Sequence, residues 1–362
     1  MTVPPPESAR PLVVTDDPDL LDELVRLAAA AGVELDVAQD AAGARRRWAQ
    51  APCVVVAAAA ATGCVRARLP RRPGVVLLGD DLDDAGVWQA AVELGAEHVR
   101  HLPEDEAWLL TRFGDAAEGP AAEGPLLAVV GGRGGAGATV LAAAIAVTAV
   151  RLGRSALLVD GDPFGGGIDL VLGGESERGL RWPELAATRG RVPAGALAQA
   201  LPRVGGLAVL SCDRDAAPVE VHPEAMSAVL AAGRRAHDLV VVDLPRRLDD
   251  LARVVLADAD VLLVVVPAEV RGAAAAARVA TAFAPYVRDL RVVVRGPAPA
   301  GLDGPAVAEA LGLPLAGELR PEPGLALSLE RGQAPAARGR GPLAELSLLL
   351  VSELLGATAG AA

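Results

Sequence analysis

The stretch Gly131–Thr139, GGRGGAGAT, decides how this chain is read. It follows an apolar run, LLAVV (126–130), and opens a run of small and apolar residues, TVLAAAIAVTAV (139–150). A strand, a glycine loop and a helix in that order form the context in which backbone N–H groups cradle phosphates. From Gly132 the letters fit GxxxxGKT at every fixed position except the lysine, where Ala138 stands. Glycines at a strand-to-helix turn also serve tight packing, so the loop alone does not establish a ligand.

Working outward, the strands on the C-terminal side of this loop are long and apolar. They read LLAVV, SALLVD (155–160), GLAVLSC (206–212), DLVVVDLP (238–245), ADVLLVVVP (259–267) and LRVVVRG (290–296), with helical segments between most of them. Apolar on both faces, such strands belong inside a doubly wound parallel sheet, whose ligands sit at the carboxyl ends of the strands. Two further elements fall at such ends. One is LLVDGDPFGGGIDL (157–170), with Asp160 and Asp162; the other is HDLVVVDLP (237–245), closing on Asp243. As isolated residues these aspartates equally suit turns and strand ends.

N-terminal to the loop, DAAEGPAAEGP (115–125) repeats AAEGP and reads as a flexible linker. Ahead of it, residues 11–114 alternate short strands with helices, which argues for a smaller parallel sheet covered on both faces. The expected organisation is therefore a tail (1–10), a first α/β domain (11–114), the linker (115–125), a doubly wound domain (126–356) and a final tail (357–362).

Bulk properties narrow the function. The chain has 362 residues and is 52 % hydrophobic, yet no run reads as a transmembrane helix and its start has no apolar signal region. A cytosolic location is expected. A formal charge of −12 and 2 % aromatics oppose nonspecific nucleic-acid and anionic-membrane binding. Cys53, Cys64 and Cys212 are too scattered for a metal cluster or a disulfide framework. No lysine occurs anywhere, so arginine supplies every strongly basic side chain. That leaves Arg133 as the one local cation expected to stand in for a loop lysine. Arg246, Arg247 and Arg253 read as a solvated basic edge. In the C-terminal stretch, Leu343, Leu346, Leu350 and Leu354 make one helical stripe beside Glu345 and Glu353, a helix that packs on the sheet domain or on a partner.

Two resemblances follow from these motifs. The first domain resembles a response-regulator receiver (CheY-like): Asp16 and Asp17 keep an acidic pair after the first strand. The third strand runs into AAAAATG with no phosphoacceptor acid, Gly79 stands where a hydroxyl is expected, and His101 where a lysine is expected before proline. Phosphoryl transfer lacks both its nucleophile and its cation, so this is a pseudo-receiver, and a docking role is implied. The pair Asp16–Asp17 equally suits a helix N-cap.

The loop, the DxDP turn and the strand closing on aspartate together resemble the deviant Walker A P-loop proteins of the MinD/ParA group. A receiver-like domain ahead of such a P-loop domain is similar to the CpaE and TadZ localisation factors, and to the actinobacterial CpaE-like, septum site-determining branch. The resemblance implies an ATP and Mg2+ site in which N–H groups from Gly132, Arg133, Gly134, Gly135, Ala136, Gly137, Ala138 and Thr139 wrap the phosphates. It further implies that Thr139, Asp160 and Asp243 hold the magnesium shell and that Asp162 orients a water. Arg133 would sit where the group's signature lysine reaches across a homodimer. Ala138 departs from the pattern. Losing a charge-assisted hydrogen bond costs about 1.5–3 kcal/mol, or roughly one to two decades in affinity. Losing a charge matched to the transition state costs roughly two to three decades in rate.

Three functions compete: a scaffold or spatial regulator in septum placement or Tad-type pilus and secretion assembly, an ATP-hydrolysing dimerisation switch, and a metabolic P-loop enzyme. The third is weakest, because no second substrate pocket is legible and the lysine is absent.

Overall fold

In the computed structural model the described residues are 10–79, 81, 83–118, 123–213 and 219–359. Most of the expected N-terminal tail, residues 119–122 of the linker and the last three residues lie outside them. The chain divides into two compact units, Met1–Ala121 and Ala122–Ala362.

The first unit alternates strictly. It runs β1 (Leu12–Val14), α1 (Pro18–Ala30), β2 (Asp36–Ala38), α2 (Ala41–Trp48), β3 (Val54–Ala57), α3 (Ala58–Arg66), β4 (Val75–Leu78), α4 (Ala85–Leu94), β5 (His98–Arg100) and α5 (Glu106–Glu118). Its five parallel strands order as β2-β1-β3-β4-β5. Alternate residues of β3 go to opposite faces: Val54 and Val56 join one buried cluster, and Val55 the other. Helix α5 continues through Asp115 to Glu118, so the chain is still helical where the linker was expected to begin.

In the second unit β6 (Leu126–Gly131) leads through the glycine loop into α6 (Ala138–Arg151), followed by β7 (Ala156–Asp160). Three short helices, α7 (Ile168–Leu172), α8 (Trp182–Leu185) and α9 (Ala194–Ala200), precede a hairpin of β8 (Arg203–Val204) and β9 (Leu207–Leu210). Then come α10 (Pro223–Ala236), β10 (Leu239–Leu244), α11 (Asp250–Asp258), β11 (Val261–Pro267), α12 (Val270–Phe283), β12 (Leu290–Arg295), α13 (Gly304–Leu311), β13 (Leu315–Leu319), α14 (Leu325–Glu330) and α15 (Pro342–Ala359).

The eight strands order as β13-β12-β11-β6-β10-β7-β9-β8, parallel throughout except for the β8–β9 hairpin. Strand β6 lies between β10 and β11, where the chain switches from building one side of the sheet to building the other. Ligands of doubly wound sheets bind at such switch points. Leu126, Ala128 and Val130 enter one core while Leu127 and Val129 enter the opposite one, which is why β6 reads as an unbroken apolar run.

Two strands escape the sequence reading. β8 has only two residues, and β13 (LAGEL) is a half-buried edge strand with no apolar run. The C-terminal stripe packs on the sheet domain: Leu343, Leu346 and Leu350 are buried in the same cluster as α6, with Leu354 against it. Glu353 and Glu345 of α15 pair with Arg291 and Arg320. Covered by the sheet on one side and α15 on the other, α6 is apolar nearly all round. Among the described residues no helix is long and apolar enough to cross a membrane.

Candidate functional site

Because the central strands are parallel, Gly131, Asp160, Asp243 and Arg295 all fall at the same end of the sheet, as the last residues or last-but-one of β6, β7, β10 and β12. A cleft of about 560 Å³ opens there, floored by the loop from Gly131 to Thr139.

The loop's form follows from its glycines. Gly132 donates its N–H to the Val265 carbonyl (2.8 Å), and a Cβ at this position would lie 2.6 Å from that of Ala276 on α12. Gly137 caps α6 with φ +96°, a conformation L side chains avoid. The N–H groups of Gly134, Gly135 and Gly137 make no hydrogen bond among the described residues. With the first N–H groups of α6, which have no helical partner, they form a concavity of donors at a positive helix end.

Thr139, Asp162 and Asp243 line the cleft; Asp160 does not. The Thr139 hydroxyl bonds Asp243, which is 6 % exposed. Burial pushes the Asp243 carboxyl up to about 7, with Asp160 and Asp162 adding to the rise and the Thr139 bond opposing it. Asp160 lies behind, 3 % exposed, its carboxylate accepting from the N–H groups of Asp162 (3.1 Å) and Ile168 (3.1 Å). Burial pushes it up to about 6 against those bonds and one from Cys212. Asp160 therefore organises the β7–α7 turn rather than facing the cleft. Asp162 accepts from the Phe164 N–H (3.1 Å) and caps the same turn while reaching the cleft. Cys212 sits under this turn, its thiol raised by burial and by Asp160, Asp162 and Asp169.

The cations are distributed differently from the sequence expectation. Arg133 is not the one cation at the loop. Its Nη2 is already held by both oxygens of Glu269 at the start of α12 (3.1 and 3.0 Å). Arg295, closing β12, lies against the loop: a Cβ on Gly137 would meet its Nη1 at 3.2 Å. Its Nε is buried without a hydrogen-bond partner. Arg246, two residues past β10, approaches Gly134, where a Cβ would lie 3.7 Å from its Nη2; it is exposed, as expected of a solvated edge, and also lines the cleft. Arg247 and Arg253 do face outward, paired with Asp249 and Asp250. Arg295 was hidden because it ends an apolar run far along the chain. The available signal was a charge closing a strand, as Asp243 does.

Among the described residues no group of three His, Cys, Asp or Glu is placed to hold a metal by itself. The unpartnered N–H groups and the orphaned Arg295 Nε fit an anionic, phosphate-like group.

In the first unit, Asp17 is the N-cap of α1, accepting from the Asp19 (2.9 Å) and Leu20 (3.3 Å) N–H groups. β3 ends at Ala57 and α3 begins at once with Ala58, leaving no carboxylate at that strand end. The His101 ring nitrogen Nδ1 lies 2.9 Å from the Gly79 carbonyl.

Comparison with known proteins agrees with this architecture. Residues 14–124 match the family model described as the Rv3660c-like, CheY-like N-terminal domain. "Uncharacterized protein Rv3660c" of Mycobacterium tuberculosis (strain ATCC 25618 / H37Rv) is 44 % identical over 320 residues, covering 87 % of this chain and 90 % of that protein. Among solved structures, a ParA family ATPase from Chlorobium tepidum aligns with TM-score 0.57 and 17 % identity over 63 % of this chain and 98 % of its own. The MinC:MinD cell division complex of Aquifex aeolicus aligns at 0.54 and 24 % identity over 64 % and 96 %. At such identities the likeness speaks to the fold alone. With a CheY-like unit followed by a unit of MinD/ParA fold, and that relative along nearly its whole length, the chain belongs to the Rv3660c-like family.

Proposed function

We propose that this protein is a spatial regulator of the MinD/ParA type that works as a scaffold, with ATP binding weakened and hydrolysis weak or absent. The observation that carries the reading is Ala138 at the head of α6: the loop keeps its donors, Thr139, Asp162 and Asp243, but offers a methyl group where a lysine would meet the phosphates. In this reading, Gly132–Thr139 would hold ATP, and Thr139 and Asp243 would hold magnesium, with Asp160 supporting from behind. Asp162 is the residue that would orient a water. When bound, magnesium supplies charge neutralisation at the phosphates; without a lysine the transition state lacks its matched cation.

The protein acts in the cytoplasm, as a homodimer, at the septum or in Tad-type pilus and secretion assembly, in the manner of CpaE-like, TadZ-like and septum site-determining proteins. Its pseudo-receiver, with no carboxylate at the end of β3, recruits protein partners instead of accepting a phosphoryl group. Neither nucleic acid nor the membrane itself is its target.

Nucleotide titration and turnover of wild type and Ala138→Lys test the reading. The variant is expected to bind ATP about tenfold or more tightly, or to turn it over faster. An unchanged variant contradicts it. Imaging of a fluorescent fusion, with cell length and piliation scored in a deletion strain, separates septum from pilus and removes both if neither changes.

A further inference from the structure

We propose that Arg295, assisted by Arg246, holds the phosphate charge of a nucleoside di- or triphosphate in place of the missing loop lysine. The inference rests on the reading of the cleft as a nucleotide site and assigns its cation to strands other than the one that carries the loop.

Three observations carry it. Arg295 closes β12, two strands from β6, and lines the cleft, where a Cβ on Gly137, the residue immediately before the helix and Ala138, would meet its Nη1 at 3.2 Å. Its side chain makes no hydrogen bond or ion pair among the described residues, and its Nε is buried without a partner. An unpartnered guanidinium on the wall of a cleft floored by unpartnered N–H groups is placed to take an anionic acceptor. Thirdly, the competing cation is partly engaged: Arg133 gives its Nη2 to both oxygens of Glu269, although its Nε, like that of Arg295, is buried without a partner.

The chemistry suits the substitution. A loop lysine is a point charge, whereas a guanidinium offers a planar fork of donors matched to two phosphate oxygens. Entering from β12, Arg295 meets the anion from beside the loop instead of from within it. Ground-state phosphate binding is thereby restored in part while the charge that follows the transferred group is not, which agrees with weakened binding outlasting hydrolysis. Arg246, beside Gly134 and more exposed, adds a weaker, screened contribution.

The test is isothermal titration of the full chain with Mg-ADP, Mg-ATP and inorganic pyrophosphate, alongside thermal melts with and without each compound. Wild type is expected to bind both nucleotides and to melt higher in their presence. Arg295→Ala should lose about ten- to hundredfold in affinity, Arg295→Lys should recover part of it, and Arg246→Ala should lose about threefold. Arg247→Ala, outside the cleft and paired with Asp249, should stay within about twofold of wild type. Adding Ala138→Lys to Arg295→Ala should restore binding, and an unliganded melt near that of wild type shows that Arg295→Ala is folded. Nucleotide affinity unchanged in Arg295→Ala overturns the inference and leaves the scaffold reading standing. So does a wild type that binds none of the compounds, or pyrophosphate alone. Brisk ATP turnover by a wild type whose binding collapses in Arg295→Ala sinks the scaffold reading instead and keeps the inference.

Discussion

At the scale of single residues, the site is a set of groups prepared for a counter-charge. Asp243 is buried against Thr139 with its carboxyl raised to about 7, and Asp160 behind it to about 6. A raised carboxyl binds its proton more tightly in the folded chain, so folding is disfavoured as pH climbs from the unfolded value near 4 towards the folded one. Other groups act in the opposite sense, among them His237, whose burial lowers it, and Asp238, lowered by its bonds to Ser155. The informative quantity is therefore a difference. Urea denaturation of wild type and Asp243→Asn should show wild type losing stability relative to the variant between about pH 4 and 7. A flat difference curve would show that Asp243 ionises in the folded chain as freely as in water. Gly137 makes a second test. Its φ of +96° strains any L side chain, and a Cβ there would press on Arg295 Nη1 at 3.2 Å, so Gly137→Ala should cost about 1–3 kcal/mol in the same assay.

Residue-scale legibility was uneven for a physical reason. The loop and the three aspartates stand in short local patterns, and the fold brings Thr139, Asp162 and Asp243 to one cleft. Asp160 carries the same local signature yet turns its oxygens to backbone N–H groups, a choice made by the β7–α7 turn and not by sequence spacing. Arg295 and Arg246 come to the loop only through the strand order, which places β12 and β10 near β6 although the chain visits them much later.

At the scale of elements, central strands were readable because both their faces are buried and every position is apolar. Edge elements were not: β13 is half exposed, and β8 is too short to carry a pattern. Helix α15 was readable as a stripe, and its burial makes it a structural cover for α6. Leu350, 3 % exposed in the cluster shared with α6, should cost about 2–5 kcal/mol when replaced by alanine, whereas Leu349→Ala, at a position 55 % exposed, should be near neutral. Chemical denaturation compares them, and equal effects would mean that α15 does not bury this face in solution.

At the scale of the whole molecule, each unit has its own sheet and its own pair of buried clusters. Units with separate cores unfold separately unless an interface couples them. Calorimetry of the full chain should therefore resolve two transitions, with added Mg-ADP raising only the one that belongs to the P-loop unit. A single transition moved as a whole by nucleotide would reveal strong coupling between them. The division of labour in the proposed function follows the same line: a first unit stripped of phosphoryl chemistry for recruiting partners, and a second that keeps the shape of a nucleotide site.

The most direct test of the central claim is steady-state phosphate release from Mg-ATP by the purified full-length protein beside Ala138→Lys. The account predicts turnover at or near background for wild type and a clear rise for the variant, since Ala138 removes a charge that contributes about two to three decades in rate. Brisk hydrolysis by the wild type, unimproved by the lysine, would contradict it.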